Sequence, residues 1–350
     1  MTTIGYGIIG CGAIAPYHAQ AIQQVRGAKL IAVCDVIEPN AHAMAKRFGV
    51  EAYTDHMAMV ARDDVHAVTL CVPSGLRADI IGAIAPTGKH VLAEKPLDVT
   101  TKRIDRIIAV MEAGGGRLGC VFQSRFADGP QRVRKALDKG RFGKLVLGDA
   151  YIKWYRSQAY YESGAWRGTR KLDGGGALMN QGIHQIDLLL WFLGDVEQVQ
   201  AQTALVAHKG LEVEDLACAM LRFRNGAFGV IEGSTACWPG HPGRIEIHGT
   251  EGSVVLEDGE IRSWQFKRGA REDKAILKDL GKSAALGSGA ADPTSSLSVE
   301  GHRRQIHDFT RALREGKPPL VDGREGRRAV EVIEAIYKSA DKGGKPVKLA

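Results

Sequence analysis

Two stretches of this 350-residue chain carry side chains able to move a proton or steady a developing oxyanion. The first, GGGALMNQGIHQID at residues 174–187, runs three glycines into an otherwise apolar helix that keeps Asn180, His184 and Asp187. Histidine suits proton transfer because its pKa lies near the operating pH. An amide such as Asn180 transfers no proton, but it can bind a hydroxyl or orient a water. The second stretch, AEKP at residues 93–96, sets Glu94 and Lys95 before Pro96 at the end of an apolar strand. A lysine there can donate to a substrate oxygen and stabilise an alkoxide. At about 100° per residue, Asn180, His184, Asp187 and Trp191 share one narrow stripe of a helix over 177–193. Leu178, Met179, Ile183, Ile186 and Leu189 fill a broad arc, so most of that helix must be covered and its polar stripe lines a cleft or faces water. The glycine run permits close backbone approach where the helix starts.

Those side chains need a scaffold, and the first 122 residues supply a regular one. IGYGIIG, KLIAVCD, HAVTLCVP, HVLAEKP and RLGCVFQ read as apolar strands. Residues 13–26, EPNAHAMAKRFG, LRADIIGAIAPTG and TTKRIDRIIAVMEAG read as helices between them. Continuous apolar strands alternating with helices predict a parallel sheet covered on both faces, a doubly wound α/β Rossmann domain. Its first turn, GIIGCGAIA, is G-x-G-x-x-A. Gly10 permits the tight turn, Gly12 lets a pyrophosphate approach the backbone, and Ala15 allows close helix–strand packing. Ala13 and Ile14 lead into a helix N-terminus that offers N–H groups to an anion. Asp35 ends the next strand, placed to accept from the adenosine ribose hydroxyls. It would repel a 2′-phosphate, and the surrounding DVIE has no Arg or Lys to neutralise one. NAD is therefore expected over NADP.

After about residue 125 the pattern changes. VEQVQAQTALVA, DLACAMLRF, GAFGVIEGSTAC, GRIEIHGTEGSVVLE and EIRSWQFK read as short strands joined by turns such as RNG and EDG, which predicts an antiparallel sheet. Residues 281–297 read as a mobile loop, followed by helices over roughly 298–315 and 324–341.

On these motifs the chain resembles the Gfo/Idh/MocA oxidoreductases, the family of glucose–fructose oxidoreductase and inositol dehydrogenase. The resemblance is carried by GIIGCGAIAPYHAQAI, CVPSGLRADIIGAIAPTGKHVLAEKPLDVT, GGGALMNQGIHQIDLLLWFLG and PPLVDGREGRRAVEVIEAIYKSA, in the family's order along nearly the whole chain. It implies an NAD-binding Rossmann domain over residues 1–124 and an α+β domain with an open, mostly antiparallel sheet over 125–350. The second domain would bind substrate and form a homodimer or homotetramer through the open face of its sheet. The implied reaction is hydride transfer between nicotinamide and a ring hydroxyl or ketone of a sugar, sugar derivative or cyclic polyol. By resemblance Lys95 and His184 are catalytic, with Asn180 beside them where many relatives have Asp. Ser74, Glu94, Lys95 and Gln123 join the cofactor site, as do Trp166 and Arg167, an aromatic–guanidinium pair suited to a nucleotide or sugar face. Arg125, Lys153 and Tyr155 are further candidates for the substrate side. Arg77 stands where many relatives have His and receives no role. Two other functions fit the same fold: an NAD-dependent glycosidase acting by transient oxidation, and a non-catalytic NAD-binding sensor. Net reduction of free NAD would speak against the first, and the presence of both Lys95 and His184 argues against the second.

The formal net charge is +7 and the isoelectric point about 9.0. The densest basic stretch, QRVRKALDKGRFGK at 131–144, spreads its charges around several helix faces with no interleaved aromatics. It reads as a solvated helix, and no nucleic-acid partner is expected. No apolar run reaches the roughly 18 residues of a membrane span, and the N-terminus lacks the pattern of a signal peptide. Six cysteines lie far apart without a C-x-x-C pair, which points to free thiols and a cytoplasmic location. With no Cys–His cluster, and His302 and His307 five apart, no metal is expected.

Overall fold

A computed structural model describes residues 3–280 and 299–349; the loop expected at 281–297 lies outside the described residues. Two sheets organise the chain. The first contains β1 (Ile4–Ile9), β2 (Ala28–Cys34), β3 (Glu51–Tyr53), β4 (Ala67–Leu70), β5 (His90–Ala93) and β6 (Leu118–Cys120). All pairings are parallel and the spatial order is β3-β2-β1-β4-β5-β6. This is the doubly wound order, whose direction reverses between β1 and β4 and so opens a crevice at their carboxyl ends. The three-residue β3 and the helix His56–Val60 are too short for a periodicity to announce them.

The chain divides into two compact units. The first ends at Gln123 and takes in a late segment ending at Arg327, while the second has the rest. The late segment contains the helix Val299–Glu315, which the sequence reading set with the second domain. Its apolar face explains the placement. Ile306 and Phe309 are fully buried against Tyr6, Ile8, Ala19, Ile22 and Leu92, and Thr310 Oγ1 meets Tyr6 Oη at 2.8 Å. Gln305 Nε2 also donates to Cys120 O at 2.7 Å, tying this helix to the end of β6.

The second unit is built on β7 (Leu145–Lys153), β8 (Val196–Ala204), β9 (Leu216–Phe223), β10 (Phe228–Ser234), β11 (Arg244–Gly249), β12 (Gly252–Glu257), β13 (Glu260–Phe266) and β14 (Val347–Lys348). Their order is β13-β12-β11-β7-β10-β9-β8-β14, antiparallel except for β7 with β10. One face of this sheet receives the helix Ile183–Leu193. A Cβ at Gly148 would lie 2.5 Å from the Leu193 side chain, so glycine there lets helix and strand approach. The opposite face carries Met220 and Phe228, each about half exposed.

The sequence reading ran one α-helix through 177–193. The structure winds Ala177–Gly182 as a π-helix and begins the α-helix only at Ile183. Hydrophobic spacing does not distinguish the two, yet the wider turn moves Asn180 off the stripe drawn for an unbroken α-helix. The basic stretch holds the helix Asp128–Asp138, and its charges are partly used: Arg134 pairs with Asp138, and Arg141 holds both oxygens of Asp273 at 2.7 Å. Among the described residues no helix is long and apolar enough to cross a membrane.

Candidate functional site

In the first unit, β1 ends at the glycine turn. Gly10 has φ +91°, and a Cβ there would lie 2.7 Å from the carbonyl oxygen of Cys71, just past β4. The fold itself therefore requires glycine at position 10. Gly12 is different, since a Cβ there would meet nothing within 4 Å. The open space above its backbone is what a pyrophosphate needs in order to approach. The helix Ala15–Gln24 starts beside this space, with Pro16 in its first turn and no capping bond from the Ile14 side chain. No acidic side chain lies in that turn, so its positive end faces outward uncompensated. Asp35 is fixed across the turn. Its Oδ2 accepts from Cys11 N–H at 2.7 Å and its Oδ1 from Ile37 N–H at 2.8 Å. A carboxylate has about four acceptor positions, so capacity remains for two hydroxyls. These residues fit a dinucleotide. Gly12→Ala is expected to fold normally and to weaken NAD binding roughly tenfold or more. Gly10→Ala is expected to lose about 2 kcal/mol or more of stability. Thermal melts with a fluorescence titration of NADH test both; equal melting losses in the two variants would remove the distinction.

Ser74 is buried in the turn Ser74–Leu76 after β4, at the same edge of the sheet. Glu94 and Lys95 follow β5. Glu94 has its carboxylate turned inward: Oε1 takes a hydrogen bond from His18 Nε2 at 2.8 Å and lies 3.6 Å from His302 Nε2. Oε2 accepts from the Lys95 N–H at 3.1 Å. Burial pushes the Glu94 carboxyl up, but the hydrogen bond from His18 and the nearby His302 ring outweigh it and hold the group well below the usual carboxylate range. Burial lowers the His18 pKa, which favours the neutral ring. Its one N–H then points at the carboxylate, and Nδ1 accepts from the Thr69 hydroxyl at 2.8 Å. Arg77, given no role from sequence, is 4 % exposed and bonds three carbonyls, those of Val72, Glu94 and Pro96.

His18, Glu94 and His302 are metal-ligand types whose donor atoms lie within 4.8 Å of one another, a grouping that spacing along the chain does not reveal. The 2.8 Å contact from His18 to Glu94 is a hydrogen bond. A tetrahedral zinc ion would hold its donors about 3.3 Å apart. Gln123 ends the unit, and its Oε1 is buried with no hydrogen-bond partner among the described residues.

The second unit resolves the three polar residues of the helix into separate roles. Asp187 and Arg125 form a two-bonded ion pair, Nε–Oδ2 2.8 Å and Nη2–Oδ1 2.6 Å, and both side chains are 1 % exposed. The Arg125 guanidinium also lies over the Trp191 ring at 5.3 Å. Arg125 is thus an internal partner of the helix and not a substrate-side residue. Asn180 donates to Asp173 Oδ1 and accepts from Gln181 Nε2 at 3.1 Å. His184 sits half-buried in the first turn of the α-helix. Tyr160, which sequence reasoning did not single out, ties this region together: its hydroxyl accepts from Gln181 at 2.8 Å and from Arg167 Nη1 at 2.6 Å. The Arg167 guanidinium lies over the Tyr160 ring at 4.3 Å and the Trp166 ring at 4.6 Å. Its Nε is buried without a hydrogen-bond partner among the described residues. Lys153 pairs with Glu232 at 2.9 Å, and Tyr155 bridges to Ala236 through its backbone.

Residues 4–122 match a family described as an oxidoreductase family with an NAD-binding Rossmann fold, and residues 130–255 match the GFO/IDH/MocA C-terminal domain. The inositol 2-dehydrogenase of Rhizobium meliloti is 26% identical over 341 residues, covering 96% of this chain and 97% of the relative. The myo-inositol 2-dehydrogenase of Thermotoga maritima is 27% identical over 344 residues, 96% of each chain. Among solved structures, the WlbA dehydrogenase of Bordetella pertussis, in complex with NADH and UDP-GlcNAcA, is 33% identical with a TM-score of 0.90, covering 100% of this chain and 98% of that one.

Proposed function

Since the chain belongs to the GFO/IDH/MocA family, we propose that it is an NAD-dependent dehydrogenase acting on CH–OH groups of sugars, sugar derivatives or cyclic polyols. The observation that carries the reading is the open cradle over Gly12, flanked by Asp35 and an uncapped helix end. The relatives support the substrate class, two being named for inositol and one solved with NADH and a nucleotide sugar. Bound NAD supplies the hydride acceptor. Gly10, Gly12, Ala13 and Ile14 would hold its pyrophosphate, Asp35 its ribose, and Ser74 its flank. Gln123 offers its buried Oε1 as an acceptor, and Arg167, held by Trp166 and Tyr160, offers Nε to an anion. His184 removes the proton of the reacting hydroxyl, Lys95 donates to that oxygen, and Asn180 orients it.

The test is a panel of inositols, aldoses and UDP-linked sugar acids, with NAD and NADP reduction as the readout. Net reduction of NAD is expected, with NADP poorer, and Asp35→Ala narrows that gap. Equal wild-type efficiency with NADP would contradict the role of Asp35. Bond cleavage without net NAD reduction would favour a glycosidase.

We also propose a dimer or tetramer, on the open face of the second sheet. There Leu147, Val230, Phe228 and Met220 lie side by side in the strand register. Light scattering that gives a monomer at micromolar concentration would remove this proposal. A cytoplasmic location rests on the six free thiols. Disulfides in protein isolated from cells would count against it.

A further inference from the structure

Lys95 lies at a point where the first unit concentrates its buried polar groups. Four side chains from separate elements meet beside it, two of them on its backbone. His18 comes from the helix Ala15–Gln24, Arg77 from the helix Arg77–Ile84, His302 from the helix Val299–Glu315, and Glu94 from the residue before. Apolar residues on the same elements, Ala15, Ala19, Ile22 and Leu92, are buried at 0–1 % exposure. An ionised carboxylate and a guanidinium in such a place carry a heavy desolvation cost, and apolar residues of similar volume would hold the helices together as well. Apolar packing, however, does not set direction. Hydrogen bonds do, and here they act on both ends of the Glu94–Lys95 peptide and on the Pro96 carbonyl just beyond the lysine. Glu94 Oε2 takes the Lys95 N–H. Arg77 Nη1 donates to the carbonyls of Glu94, at 2.6 Å, and of Pro96, one on each side of the lysine.

We infer that His18, His302, Glu94 and Arg77 form a buried clamp that aims Lys95, and that they are positioning residues for its reaction. The inference rests on Lys95 having the role proposed above. It gives Glu94 a task different from cofactor contact and gives Arg77 a task where sequence supplied none. His18 is the pivot. As a neutral ring between Thr69 and Glu94 it fixes which way the carboxylate turns, and with it the Lys95 N–H. Misdirecting a reacting group by about 1 Å can cost on the order of 10²-fold in rate.

The experiment compares His18→Leu, His18→Gln and His302→Leu in the full chain. Gln keeps an N–H for Glu94, while Leu does not. In both Leu variants kcat is expected to fall about 10- to 100-fold, with NADH affinity and sugar KM within about threefold of wild type. Most of the loss should return in His18→Gln. A second readout does not need substrate: reductive ¹³C-methylation of the lysines followed by NMR, with the Lys95 signal assigned by its absence in Lys95→Ala. That signal is expected to move in either Leu variant that folds and to lie near its wild-type position in His18→Gln. An unmoved Lys95 signal, an unchanged kcat in a folded Leu variant, or a loss of NADH affinity as large as the loss of kcat overturns the inference. If the sugar panel gives no turnover, the functional reading fails on its own and the NMR arm still decides this one.

Discussion

Replacing His184 by alanine is expected to lower kcat by about 10²–10⁴-fold and to leave NAD binding nearly unchanged. The magnitude is that of a general base at the reacting proton. The selectivity follows from placement. The glycine turn and Asp35 belong to the first compact unit, and His184 to the second. Within its own unit His184 is the polar residue of the helix whose side-chain type suits proton transfer. Asp187 is locked to Arg125, and Asn180 is tied at both ends of its amide by Asp173 and Gln181. Asn180→Ala is therefore expected to be milder and to appear partly in KM, because an amide positions but transfers no proton. Steady-state kinetics with an NADH titration separate the two. A larger kcat loss in Asn180→Ala than in His184→Ala would transfer the proton-handling role to the wrong side of this assignment and overturn it.

The largest stability effect is expected at the Arg125–Asp187 pair. Arg125→Ala or Asp187→Ala should each cost about 3–5 kcal/mol, because either leaves an uncompensated charge at a site that is 1 % exposed. At roughly 2–4 °C per kcal/mol for a unit of this size, the melting temperature drops by about 10 °C. The Arg125→Leu/Asp187→Leu double variant should recover much of that loss, since two apolar side chains remove both charges at once. Chemical denaturation of the three variants is the measurement. A single variant within about 1 kcal/mol of wild type would show the pair to be solvated rather than buried.

What the sequence made legible depends on the range of each signal. The glycine turn and Asp35 were readable because a turn needing φ > 0 and a strand end about 20 residues on are both local patterns. The parallel sheet followed from apolar runs alternating with helices. Partners far apart in the chain were not readable. Arg125 and Asp187 are 62 positions apart and His18 and Glu94 76, and nothing local distinguishes a charge that will be paired from one that will be solvated. The π-helical segment Ala177–Gly182 escaped for another reason. Its apolar residues satisfy an α-helical spacing as well as a wider one, and only the i→i+5 hydrogen bonds decide. The helix Val299–Glu315 announced an apolar face through Ile306 and Phe309, but a face does not name the sheet it will cover.

That late helix imposes an order on the birth of the protein. A domain at the front of a chain ordinarily folds as soon as it leaves the ribosome. This one cannot complete its core, because Ile306 and Phe309, which close over Tyr6, Ile22 and Leu92, have not been translated when Gln123 emerges. At ~5–20 residues per second the wait for residue 315 is about 10–40 s. During that time the nascent nucleotide-binding half carries an uncovered apolar patch, and it is in that interval that chaperones have most to gain from holding it.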